Sequence, residues 1–106
     1  MPNADPAEVF AALGDSTRLR LVQRLSDGRD RSIHDLSSDA PLSRQAMTKH
    51  LKVLERARIV RSTRYGRELR FQLEQAELER ARAFLVHVSS QWQDALGRLA
   101  EHAERG

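Results

Sequence analysis

Between Leu78 and Ala103, apolar side chains step along the chain at alternating intervals of three and four: Leu78, Ala81, Leu85, Val88, Trp92, Ala95 or Leu96, Leu99 and Ala103. Such spacing is the seam of a helix that lies along another helix. A helix over residues 76–103 would be roughly 40 Å long at about 1.5 Å per residue. A chain of 106 residues has no core large enough to cover that length. The natural partner is a second copy of the same helix, so the seam already implies a homodimer.

The remainder is organised as one unit, expected to be a single domain over 1–106. No repeat, low-complexity tract or linker divides it. Hydrophobic residues make up 40% and charged residues 31%, a balance that fits a globular fold. There is no cysteine, which excludes disulfides, thiolate nucleophiles and thiolate metal sites. No run approaches the roughly 20 apolar residues of a membrane span. Met1 to Val9 carries acids and no basic-apolar leader, so the expected location is cytoplasmic, with no membrane partner.

Ahead of the long seam the periodicity changes twice. Val9, Phe10 and Leu13 fall at helical spacing after Pro6, and Gly14 closes that segment. Asp15 or Ser16 can cap a second helix with Leu19, Val22 and Leu25 as its stripe. Ser32 to Ser38 reads as a two-turn helix, broken by Asp39-Ala40-Pro41. Ser43 then caps a helix whose inner face is Ala46, Met47, His50, Leu51 and Leu54, and whose outer face is Arg44, Gln45, Thr48, Lys49 and Lys52. From Ile59 the period drops to two. Ile59 to Tyr65 and Glu68 to Leu73 read as strands around a Tyr65-Gly66-Arg67 turn. The fold class is mainly α with a small β-hairpin.

Charge is concentrated. Residues 43–70 hold nine basic and two acidic side chains, a net +7 in a chain whose total is +3. That is the footprint of a polyanion-binding surface. Two helices joined by a short turn and followed by a basic hairpin form the order of a winged helix-turn-helix. The second helix fits a major groove about 12 Å wide. Arg61, Arg64, Arg67 and Arg70 recur every third residue through the hairpin, where they can reach phosphates or the minor groove. In this frame Gln45 suits adenine, Arg44 suits guanine or a phosphate, and Ser43 and Thr48 make short contacts. Lys49 and Lys52 suit phosphates. His50 points inward and is read as packed or phosphate-touching. Arg18 can meet a phosphate or pair with an acid. No Gly-rich phosphate loop, nucleophile elbow or zincin motif is present, and Ser32, His34 and Asp35 diverge around one short helix, so an enzyme is not expected.

Three segments together resemble the ArsR/SmtB family of bacterial repressors. They are Phe10 to Leu21 (FAALGDSTRLRL), Leu42 to Leu54 (LSRQAMTKHLKVL, with Thr48 where a Ser is usual), and the Arg64-Tyr65-Gly66-Arg67 tip. The resemblance implies a transcriptional repressor that binds an imperfect palindromic operator in double-stranded DNA. It implies a homodimer through the first and last helices, here Phe10, Leu78, Leu85, Val88, Trp92, Leu96 and Leu99. It also places Ser43, Arg44, Gln45, Thr48 and Lys49 at the bases and phosphates.

The chain departs from the family's metal sensors. Where they carry a C-x-C-D-L pattern it has Ser32, Ile33, His34, Asp35 and Leu36. The last-helix pattern fails at His87, which has Leu85 two residues before it, and at His102, which is followed by Arg105 three residues on. No metal site or cofactor is therefore expected. Two alternatives stay open: a metal-responsive repressor using His87, His102, Glu101 and Glu104 across a dimer, and a winged-helix module that binds protein. The switch could be a small-molecule inducer in an apolar cleft of Phe10, Phe84 and Trp92, or operator occupancy alone.

Overall fold

The computed structural model describes residues 5–38 and 40–105. Asp39, expected to help break the third helix, lies outside them. The elements run α1 (Pro6–Leu13), α2 (Ser16–Arg24), β1 (Arg31–Ser32), α3 (Ile33–Ser37), α4 (Arg44–Arg56), β2 (Val60–Tyr65), β3 (Glu68–Leu73) and α5 (Gln75–Arg105).

Each helix starts where its sequence supplies an acceptor for orphan backbone N–H groups. Asp5 accepts from Ala7 N, Asp15 from Thr17 N and Arg18 N, and Ser43 from Ala46 N. Ser32 forms a reciprocal capping box with Asp35, because a Ser followed three residues later by an acid can satisfy two donors at once. These hydrogen bonds hold the Asp35 carboxyl below its ordinary range. Gly14 caps α1 with φ −77° rather than in the left-handed region. A Cβ there would press on the carbonyl oxygens of Phe10 and Ala11, at 3.3 and 3.4 Å.

The hairpin expected from sequence is part of a three-stranded antiparallel sheet, order β1-β3-β2. The third strand pairs Arg31 with Phe71 and Ser32 with Arg70. At two residues it is too short to show any alternation of its own. It also takes Ser32 out of the expected third helix and makes it the cap. Tyr65 pairs with Glu68 around a two-residue turn of Gly66 and Arg67. Gly66 sits at φ 61° while Arg67 does not enter positive φ, the type II′ pattern that matches strand twist.

The core lies between α4, α2, α3 and the sheet. Leu25, Leu36, Met47, Leu51, Leu54, Ile59 and Val60 are fully buried there. In α2 the buried residues are Leu21, Val22 and Leu25. Leu19, expected in that stripe, is 45% exposed, because it lies a half-turn from Leu21 and faces out. α4 ends in a Schellman motif: Ile59 N donates to Leu54 O at 3.0 Å and Arg58 N to Glu55 O at 3.0 Å. The left-handed position belongs to Arg58 at φ 62°, where glycine is usual.

α5 leaves this body. Its first turns pack inward through Glu77, Leu78 and Ala81, and beyond them it is almost wholly exposed. Its 31 residues make a rod of about 46 Å. The radius of gyration is 18.4 Å, against about 13 Å for a compact chain of this length.

Replacing Ser32 with Ala should lower unfolding free energy by about 1–2 kcal/mol, since it strips a buried cap. Ser38→Ala, at an exposed position, should stay within about 0.5 kcal/mol. Urea midpoints of the two variants measure the difference, and equal midpoints would remove the cap from the account.

Candidate nucleic-acid interface

α4 is held by its back. Met47, Leu51 and Leu54 are buried, which turns Arg44, Gln45, Lys49 and Lys52 outward. Its first turn holds no acid, whereas α1, α3 and α5 place Glu8, Asp35 and Glu77 there. An acid would offset the positive end of the helix dipole. Here Arg44 adds to it instead, an arrangement that suits an anion supplied from outside.

Seven of the nine basic residues of this region, all but Arg56 and Arg58 at the end of α4, fall into two groups. Arg44, Lys49, Lys52, Arg64 and Arg67 are exposed and make no ion pair or side-chain hydrogen bond among the described residues. Arg44, Arg64 and Arg67 line one open groove of about 500 Å³ between the start of α4 and the hairpin tip, together with His34 and Tyr65. The second group serves the fold. Arg61 pairs with Glu74 at 3.1 Å and donates to Gln72 at 3.1 Å. It is therefore tied to the root of the hairpin, where the expectation from sequence had all four hairpin arginines available for DNA. Arg70 bridges Glu68 at 2.6 Å and Asp30 at 3.1 Å, with its guanidinium 5.9 Å from the Tyr65 ring.

Two of the expected short contacts are likewise engaged. Ser43 Oγ caps α4, and Thr48 Oγ1 donates to the Arg44 carbonyl at 2.7 Å. His50 turns its Nδ1 to Arg18, 3.3 Å from Nη1, with Asp15 Oδ2 at 3.8 Å.

Arg18, read from sequence as meeting a phosphate or pairing with an acid, is engaged by backbone carbonyls instead. Its Nε donates to the Ala12 carbonyl at 2.6 Å and its Nη2 to that of Ala11 at 3.5 Å. It thus caps the end of α1 and joins α1, α2 and α4 at one point. The neighbouring Asp15 accepts the Arg18 backbone N–H, which with the Arg18 charge holds its carboxyl below the ordinary range. No periodicity or composition signal announces this role.

α5 exposes Leu85, Trp92, Leu96 and Leu99, and Trp92 is 64% exposed. Val88 is half-buried, and Leu78 packs against the protomer's own core. Phe10 meets Phe84 with ring centroids 5.9 Å apart. Ser32, where metal sensors of the resembled family carry a thiolate, is a buried helix cap. Among the described residues no three His, Asp or Glu side chains converge on a metal position, and no helix is long and apolar enough to cross a membrane.

A helix-turn-helix domain family matches residues 13–63. The HTH-type transcriptional regulator Rv2034 of Mycobacterium tuberculosis is 38% identical over 80 residues, covering 76% of this chain and 74% of that protein. An ArsR-like transcriptional regulator from Rhodococcus sp. RHA1 superposes with a TM-score of 0.77 at 37% identity, over 89% of this chain and 88% of its own.

The chain belongs to the ArsR/SmtB family.

Members of the ArsR/SmtB family are winged helix-turn-helix transcriptional regulators that bind DNA, and the sheet with its Gly66 tip is the wing. A homodimeric winged helix-turn-helix DNA-binding domain from Mycobacterium bovis shares the fold at 20% identity, with a TM-score of 0.64 over 80% of this chain and 78% of its own.

Arg18→Ala should reduce stability by about 1–3 kcal/mol, because two carbonyls lose a charged donor. The slope of log affinity for DNA against log salt should stay at the wild-type value. A slope shallower by about one would instead put Arg18 on a phosphate.

Proposed function

We propose that the protein is a transcriptional repressor that binds an imperfect palindromic operator as a homodimer, without a metal. The observation that carries the DNA-binding face is the sorting of cations just described. Among the described residues, Arg44, Lys49, Lys52, Arg64 and Arg67 are exposed on one helix and one wing tip and make no ion pair, beside an exposed Gln45 that can read a base edge. In this reading Gln45 and Arg44 contact bases, and Lys49 and Lys52 contact phosphates. Arg64 and Arg67 follow the backbone or enter the minor groove. Ser43 and Thr48 hold the start of the helix and contact DNA only through their remaining hydrogen-bonding capacity. His50 and Arg61 act from behind, by fixing the helix and the wing root.

The dimer rests on area. A folded monomer of 12.1 kDa has an accessible surface of about 6,000 Å², and this chain exposes 7677 Å². The excess exceeds the roughly 800 Å² that each partner buries in a standard interface. Its apolar part runs along α5 through Leu85, Trp92, Leu96 and Leu99, continuous with Phe84 and Phe10. A second copy of α5 supplies the same surface in return, as a two-fold interface requires. Repression then follows from occupancy: a protein seated on two half-sites excludes whatever else must bind there.

Two measurements test this. Anisotropy titrations against the chain's own upstream DNA and a scrambled duplex should show selective binding unaffected by chelator. Arg64→Ala and Arg67→Ala should each weaken binding to both duplexes and lower the salt slope by about one, whereas Gln45→Ala should cost about 1–3 kcal/mol at one operator position only. Equal, weak binding to both duplexes would favour a protein-binding module. Separately, Trp92→Asp should give a monomer by sedimentation and lose high-affinity binding; a variant that remained dimeric would move the interface off α5.

A further inference from the structure

An apolar pocket of about 180 Å³ lies between α2, the turn before α4, and α4 itself. Leu21, Leu36, Leu42 and Met47 form its walls, and Thr17 and Arg20 stand beside them. It is not the Phe10–Phe84 side of the molecule, where a ligand cleft was expected from sequence. The size is informative. An engineered apolar cavity of about 150 Å³ accepts benzene, so this one holds a single six-membered ring with a small substituent. The polarity is informative too. Among the described residues its charged lining is cationic. Arg24 is occupied, donating to the carbonyls of Asp35 and Leu36 at 3.3 and 3.4 Å. Arg20 is exposed and makes no ion pair or side-chain hydrogen bond among the described residues. An apolar chamber with one unengaged guanidinium at its edge fits an apolar body with one anionic head.

The geometry points to this pocket as an effector site for a small aromatic or cyclic aliphatic monocarboxylate. The ring sits on Leu21, Leu36, Leu42 and Met47, and the carboxylate meets Arg20 and the Thr17 hydroxyl. This deepens the proposed function and rests on it, because the pocket walls are the parts that aim the recognition helix. Leu42 directly precedes the Ser43 cap, and Met47 is the first buried residue of α4. A ligand pushing on both displaces the start of α4, where Arg44 and Gln45 stand, and so favours a state with lower operator affinity. Linkage then requires operator DNA to weaken ligand binding by the same factor.

The test uses the full chain with benzoate, cyclohexanecarboxylate, benzamide and benzylamine as probes. Methyl NMR signals of Leu21, Leu36 and Met47 should shift saturably with the two carboxylates, and at least tenfold more weakly with benzamide and benzylamine. Arg20→Gln should weaken benzoate at least tenfold while leaving operator binding without ligand unchanged. Ala40→Leu, which fills the pocket from the turn, should abolish the shifts. Saturating benzoate should lower operator affinity. Benzamide binding as tightly as benzoate, or benzoate binding retained in both variants, would overturn the assignment, as would pocket signals that do not move. Operator binding measured with no ligand present separates the two ideas. If that binding is intact and the pocket stays silent, only the effector site fails; if it is absent, the repressor reading fails first.

Discussion

Everything at the DNA-facing surface depends on the dehydrated back of α4. Leu51 and Leu54 lose all contact with water, and Met47 nearly all. Burying each such side chain stabilises the fold by about 1.5–3 kcal/mol. That is what allows the opposite face to be poor in local stabilisation: it has no acid in the first turn, and Arg44 lies at the positive end of the dipole. The helix does not need its outer residues in order to fold. They are left available for a partner.

The same division runs through the arginines of the wing. Those near its root, Arg61 and Arg70, are matched by Glu74, Glu68 and Asp30, and those at its tip meet no acid among the described residues. Root and tip differ in function because the root must hold a three-stranded sheet together, and exposed pairs there guide register more than they add energy. Likewise Arg18 and His50, each read from sequence as able to touch a phosphate, are turned to the seam between α1, α2 and α4. Charge alone therefore overstates the interface, and the presence or absence of an acid partner within reach is the finer criterion.

How much of this could be read before any coordinates follows from the range of each interaction. The helices, their caps at Asp15 and Ser43, and the strand pair around Gly66 are local, so spacing and residue type reveal them. So does the exposed seam of α5, because a period of three and four has one geometric meaning. The short strand Arg31–Ser32 carries no period and exists only through its pairing with Phe71 and Arg70, far along the chain. Leu19 looks like a stripe residue because it falls three before Val22, yet Leu21 occupies the inward direction. The end of α4 carries no glycine signal, since Arg58 takes the left-handed position. The engagement of Arg61 by Glu74, and of Arg18 by the end of α1, joins elements whose relative placement no local pattern encodes.

The departure of α5 from the protomer core separates two properties that a DNA reader must set. In the proposed reading, which bases are recognised is a matter of the few side chains at the start of α4. How far apart two such helices sit, and so how many base pairs separate the proposed half-sites, would then be set by where α5 meets its copy. In the pairing proposed here the alphabet and the ruler are carried by different helices that share little packing. A lineage can then retune the sequence it reads without altering the spacing, or shift the spacing by a turn of duplex without relearning a single base.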